Sequence, residues 1–179
     1  QAPDVIAGEQ IKKLEESTAI IVFSRKSVLK YKYYFEKANL PVSIIYGNLS
    51  PEVRREEARK FRQGETKFLI STDAIAMGLN LPIKKVIFAE IQKFNGKDVD
   101  FIKPNEVRQI AGRAGRFGKF DVGQVSALSL QDLFFIQKTI KIPNKIEKVL
   151  FVRPTLDQVL FLSNLLMEKS LSKIFDKFY

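Results

Sequence analysis

The chain has 179 residues and no Cys, His or Trp, which excludes a disulfide framework, a thiol nucleophile and a His/Cys zinc site and suits a reducing compartment. Hydrophobic residues make up 45%, including 15 Phe, so a packed interior is expected rather than disorder. A formal charge of +10 points to a polyanionic partner, of which nucleic acid is the commonest for a soluble chain. No apolar run approaches the ~20 residues of a membrane span. The opening "QAPDVIAGEQ" lacks the basic start and apolar middle of a signal peptide, and a first residue of Gln reads as the start of a fragment.

In chain order, "AIIVF" (19–23) is a short apolar run of the kind buried on both faces of a sheet, and "KSVLKYKYYFEKAN" after it carries helical spacing. The Lys residues of that helix read as a solvated face, and its Tyr residues and Phe35 mainly as core. "PVSIIYGN" is a second strand. Ser50 and Pro51 then form an N-cap and first-turn pair opening a helix that stops near Gly64. "TKFLIST" is a third strand, "DAIAMGLNLP" a loop, "KKVIFAEI" a fourth strand and "KFNGKDVDFIKPN" an exposed loop. A helix holding "QIAGRAGR" and a fifth strand, "GQVSALSL", follow. Alternating strands and helices imply an α/β fold, a parallel sheet with helices on both faces. Beyond residue 130 the pattern becomes mostly helical, broken by Pro143 and Pro154, which suggests a main domain over 1–130 and the start of a helical region over 131–179.

Ligands of parallel sheets sit at the carboxyl ends of the strands. Two segments are expected there. One is the loop with Thr72, Asp73, Gly78 and Asn80, where a hydroxyl, a carboxylate and a glycine that admits close approach suit phosphate contact; the plainer alternative is Asp73 capping a helical turn. The other is the helix with Gln109, Arg113 and Arg116. Spacings of four and three place these on one helical face, and two guanidinium forks on one face make a phosphate clamp, the plainer alternative being two solvated arginines. Gly112 and Gly115 inside a helix would together cost about 2 kcal/mol, so close approach of a ligand or another backbone should compensate. Ser24, Arg25 and Lys26 end the first strand, where a hydroxyl and basic groups can follow a sugar-phosphate backbone. Neither a G-x-x-x-x-G-K-[ST] loop nor an acidic pair after an apolar strand occurs, so the chain offers half of a nucleotide site and no metal ligands.

"VFSRK", "STDAIAMGLN" and "QIAGRAGR" resemble motifs IV, V and VI of superfamily 2 helicases, in order and at suitable spacing. "TDAIAMGLNLPIKKVIF" and "QIAGRAGRF" are similar, more narrowly, to the mitochondrial degradosome RNA helicase family and its bacterial relatives, and "LQDLFFIQKTIK" and "RPTLDQVLFLSNLL" to the helical region after that family's core. Ala76 stands where motif V often has Gly, a small-for-small departure.

The resemblance implies a second RecA-like domain of an ATP-dependent RNA helicase, with a C-terminal helical extension. It implies ATP and Mg2+ held mainly by a first RecA-like domain absent from this chain, so the isolated fragment is expected to be inactive. By matching position, Arg116 is the arginine finger, Arg113 lies beside it, and Gln109 is near the nucleotide or its attacking water. Gly78 and Asn80 line the nucleotide cleft, while Ser24, Gly47 and Thr72 touch a bound strand. The implied partners are single-stranded RNA, with DNA as the other candidate, the missing N-terminal RecA-like domain and, in a degradosome, a ribonuclease. The implied location is cytoplasmic in a bacterium and the mitochondrial matrix in a eukaryote. A non-catalytic RecA-like module that binds RNA or protein and a DNA-directed helicase are the competing readings.

Overall fold

A computed structural model of the chain describes residues 11–115, 120–143, 155–167, 170 and 172–173. In chain order the elements are β1 (Thr18–Ile21), α1 (Arg25–Lys37), β2 (Val42–Ile45), α2 (Pro51–Gln63), β3 (Phe68–Ser71), a 3₁₀ turn (Asp73–Ala76), β4 (Lys85–Phe88), β5 (Gln92–Phe94), β6 (Val99–Phe101), α3 (Pro104–Ala111), β7 (Gln124–Ala127), α4 (Leu130–Ile140) and α5 (Leu156–Leu166). Five strands form one parallel sheet in the order β2-β3-β1-β4-β7. The α/β architecture expected from the sequence is therefore present.

Strand side chains alternate between the two faces, and each face carries its own core. Ala19, Ile21, Leu69, Val86 and Phe88 join Phe61 of α2, Val107 and Ile110 of α3 and Ile136 of α4 on one side. Ile20, Val22, Phe68, Ile70 and Ile87 meet Val28, Tyr31 and Phe35 of α1 on the other. Each such large apolar side chain removed from water contributes about 1.5–3 kcal/mol. The Lys residues of α1 point outward or lie half-buried, but Tyr33 is exposed, so not all of its aromatic residues are core.

The ends of α1 and α2 follow their local chemistry. Ser24 Oγ accepts from Ser27 N–H at 2.9 Å, and Ser50 Oγ accepts from Val53 N–H at 3.4 Å with Pro51 in the first turn. Gly64 ends α2 at φ 79°, a left-handed conformation that glycine adopts without strain.

Three segments differ from expectation. "KFNGKDVDFIKPN" is not an open loop but contains the antiparallel pair β5–β6, turned by Asn95 and Gly96: Asn95 Oδ1 accepts from the Lys97 and Asp98 N–H groups, and Gly96 has φ 104°. An Asn-Gly pair is a hairpin signal, masked here because Val99, Asp100 and Phe101 are all exposed. "DAIA" forms a 3₁₀ turn capped by Thr72, whose hydroxyl accepts from Ala74 N–H at 3.3 Å; Asp73 is not the cap. The arginine helix stops at Ala111, with Gly112 as its C-cap.

The glycines after α3 therefore lie outside the helix, and the ~2 kcal/mol helical cost does not apply. Gly115 has φ 76°, and a Cβ on it would come within 2.7 Å of Gly123 N. A Cβ on Gly123 would come within 2.4 Å of Ala114 C and 2.5 Å of Ala114 O. The small residues thus admit another backbone, that of the chain's own approach to β7.

Contacts divide the chain into compact units 1–144 and 145–179. Helix α4, placed by sequence patterning in the tail, packs on α3 and β7 within the first unit because Phe135, Ile136 and Ile140 face the core. In the second unit α5 is the described helix. No helix among the described residues is long and apolar enough to cross a membrane.

Gly123→Ala is expected to lower the stability of the chain by about 1–3 kcal/mol through backbone overlap that no rotamer change relieves. Gly47→Ala, whose added Cβ would meet nothing within 4 Å, is expected to stay within about 0.5 kcal/mol of the wild type. Urea unfolding midpoints check both.

Candidate nucleotide and nucleic-acid edges

In-register pairing brings the carboxyl ends of β2, β3 and β1 level: Ile45 pairs with Ser71, and Ser71 with Ile21. Gly47, Thr72 and Ser24 follow these three ends, so the structure groups all three on one edge of the sheet. Gly47 and Ser24 are exposed, and Thr72 is 8% exposed. The edge is braced from beneath. Arg54 Nη2 donates to Gly47 O at 2.9 Å, and Ser71 Oγ donates to Ile45 O at 2.8 Å. At Ser24 the hydroxyl donates to Ser27 Oγ at 2.8 Å, and Ser27 in turn donates to Glu90 Oε1 at 2.5 Å. The other oxygen of Glu90 accepts from Phe23 N–H at 2.7 Å. Glu90 and Ser27, which sequence reasoning passed over, therefore orient the start of α1; nothing in the residue pattern marks a contact made between positions 63 apart.

The second grouping lies elsewhere. Helix α3 begins on the carboxyl side, where Ile102 N–H donates to Ile91 O at 2.9 Å, and carries the chain back toward the amino edge, where Gly115 N–H donates to Ile83 O at 2.8 Å. The arginine helix therefore starts at the carboxyl edge expected from the sequence, but its end carries Arg113 toward the amino edge. Because the helix ends before Arg113, the four-and-three spacing does not place Gln109 and Arg113 on a common helical face. Gln109 is exposed on the last turn. Arg113 reaches back across the fold, and its Nη2 donates to Ala76 O at the end of the 3₁₀ turn. Its Nε is buried with no acceptor among the described residues. Arg113 is thus partly committed to its own domain rather than a free clamp. Arg116 lies outside the described residues.

Gly78 and Asn80 are exposed on the connection that leaves Ala76 for β4. Gly78 has φ 64°, so glycine is needed there for backbone shape. The structure thus joins the Arg113 guanidinium to the segment leading to Gly78 and Asn80, while Gly47, Thr72 and Ser24 form a separate row.

The two groupings share the 3₁₀ turn, which a charged cluster also grips. Lys93 of β5 pairs with Glu106 in the first turn of α3 and lies 3.6 Å from Asp73 Oδ2. Glu106 Oε2 also accepts from Lys103 N–H at 2.8 Å, capping α3. The hydrogen bond to Glu106 holds the Lys93 ammonium above its usual range, against the opposing effect of burial. Burial alone pushes the Glu106 carboxyl up, but the hydrogen bonds from Lys93 and Lys103 outweigh it and set the group below the ordinary carboxylate range.

A five-stranded parallel sheet with helices on both faces is a RecA-like fold. The chain matches the helicase conserved C-terminal domain over residues 3–118 and belongs to that family. It is 41% identical over 141 residues to the mitochondrial ATP-dependent RNA helicase SUV3 of Candida albicans, covering 76% of this chain and 20% of that protein. It is 34% identical over 180 residues to the mitochondrial ATP-dependent RNA helicase SUPV3L1 of Gallus gallus, covering 96% of this chain and 23% of that protein. The chain thus spans about a fifth to a quarter of these relatives. Among solved structures, the C-terminal domain of the DEAD-box protein Dbp5 superposes with a TM-score of 0.59 at 25% identity, over 76% of this chain and 74% of that one.

A depressed Glu106 contributes stability that is present above the carboxylate's ordinary pKa and is lost as pH falls through its folded value. Glu106→Gln is accordingly expected to lower stability by roughly 1–2 kcal/mol at neutral pH. The gap from wild type should close as pH drops below about 4, which urea titrations at stepped pH would measure.

Proposed function

We propose that this chain is the second RecA-like motor domain of an ATP-dependent RNA helicase, acting within a longer protein. The carrying observation is the row of Gly47, Thr72 and Ser24 at three adjacent strand ends. Gly47 supports it with a second fact. Its φ is not positive and a Cβ on it would meet nothing within 4 Å, so neither backbone shape nor internal packing requires glycine there. Close passage of a ligand backbone does. A row that offers a bare backbone and two hydroxyls suits the sugar-phosphate chain of single-stranded RNA rather than base edges.

On the nucleotide side, this chain's residues fit one wall of a pocket. Among the described residues no three acidic, His or Cys side chains gather into a cation site. Arg113, by contrast, retains a buried Nε without an acceptor among those residues. From the family likeness we assign the triphosphate and Mg2+ chiefly to a first RecA-like domain, with ATP supplying the hydrolysable phosphoanhydride. Gly78 and Asn80 line the facing wall, and Gln109 sits near the nucleotide. Arg113 holds the Ala76 segment in place, and Arg116, three residues further, meets the charge developing on the transferring phosphoryl group. The isolated chain lacks the first wall and is inactive alone. With relatives named as mitochondrial, the mitochondrial matrix is the expected location in a eukaryote and the cytoplasm in a bacterium.

In the full-length protein, Arg116→Ala should reduce ATP turnover by about 10³-fold or more while filter-binding affinity for single-stranded RNA is retained. Unchanged turnover would remove the finger assignment. Gly47→Leu is the complementary test. It should keep the unfolding midpoint and weaken RNA binding, with equal loss for a DNA strand of the same sequence only if the 2′-hydroxyl is not read.

A further inference from the structure

The β5–β6 hairpin belongs to neither edge, yet its Lys93 is in contact with the element that both edges share. The ammonium stands between two carboxylates. Glu106 belongs to the first turn of α3, and Asp73 directly follows Thr72 of the nucleic-acid row. At the other end of the same 3₁₀ turn, Ala76 O accepts from Arg113. The turn is therefore held at its first residue by Lys93 and at its last by Arg113, while Ala74 and Ile75 between them pack into the core with Val107 and Ile110. Both holds trace to α3, an eight-residue helix about 12 Å long. Glu106 lies in its first turn, and Arg113 follows two residues past its end.

The charges give this arrangement a direction. Without the ammonium, Asp73 and Glu106 would be two like charges near one point, one on the turn and one on the helix, and their repulsion would push the first residue of the turn away from α3 while Ala74 and Ile75 stay in the core. The side chains of Lys93 and Glu106 are 27% and 20% exposed, so solvent screens the pair only in part. Asp73 is about half exposed, which leaves it free to respond to a strand arriving at Thr72.

We propose that Lys93 is a positioning residue that locks the 3₁₀ turn to α3, so that a strand seated at Thr72 shifts the arginine segment toward its working position. The inference rests on the motor reading above and adds to it the route by which RNA governs hydrolysis. Its role is assigned through Asp73 and Glu106, the two carboxylates it pairs with.

The test uses the full-length protein and measures ATP turnover with and without a single-stranded oligouridylate. Lys93→Met should leave basal turnover within about twofold of wild type and cut the stimulation by RNA about tenfold, a usual size for coupling between sites. Lys93→Arg, which keeps a cation between the carboxylates, should restore it. Asp73→Asn leaves the Lys93–Glu106 pair intact and should lose the same stimulation, so the idea stays testable if the methionine variant folds poorly by circular dichroism. Full stimulation in Lys93→Met, or a parallel fall of basal and stimulated turnover, would overturn the positioning role alone. A wild-type protein that hydrolyses no ATP would overturn the motor reading and this inference with it.

Discussion

The register of the parallel ladder is the constraint on which the site depends. Thr18 pairs with Phe68 on one side and Lys85 on the other, while Phe68 pairs with Val42 and Lys85 with Gln124. All five strands begin and end level. Parallel strands can stay in such register only when both faces are covered, since a one-residue slip would exchange Ile20 and Ile70 with Ala19 and Leu69 between two differently shaped cores. Burial thus fixes the strand ends, and the strand ends fix Gly47, Thr72 and Ser24 as neighbours although they are distant in sequence.

The same topology separates the second grouping from the first. A parallel strand must be followed by a return to the opposite edge, and two returns matter here. One runs from Thr72 through the 3₁₀ turn, Gly78 and Asn80 to β4, and the other from the end of β4 through the hairpin and α3 to Gly115. They meet where Arg113 bonds Ala76 O and Lys93 reaches Asp73. The two connections are thus joined by these polar contacts and also by the core, where Ala74 and Ile75 of the turn pack with Val107 and Ile110 of α3.

Much of this architecture was legible from the residues. Continuous apolar runs gave β1, β3 and β4, and Ser50, Pro51 and Gly64 marked both ends of α2 because capping chemistry is local. The hairpin was less visible: its strands are short and exposed, so alternation was weak even though Asn95-Gly96 announced the turn. Thr72 and Ser24 stand out at strand ends from the residues, but Gly47 and the grouping of all three emerged only through the resemblance, since strand order is a long-range property. Periodicity misjudged the arginine segment. A four-and-three spacing describes a shared face only while the helix lasts, and the glycines that made the segment look costly are the residues that end it.

Four glycines separate three physical demands that sequence alone cannot tell apart. At Gly78 the backbone conformation requires it, with open space around the missing Cβ. At Gly115 and Gly123 the requirement is close passage of the chain past itself, which brings the segment preceding β7 against the end of the arginine turn. At Gly47 neither demand applies among the described residues, which supports the proposed approach of a ligand from outside the chain. A glycine whose presence the fold does not explain is a stronger pointer to a ligand than the more conspicuous glycine-rich run, because internal packing already accounts for that run. The proposed nucleic-acid edge thus rests on a residue that the described part of its own domain does not need, and the proposed nucleotide edge on an arginine that its own domain partly uses.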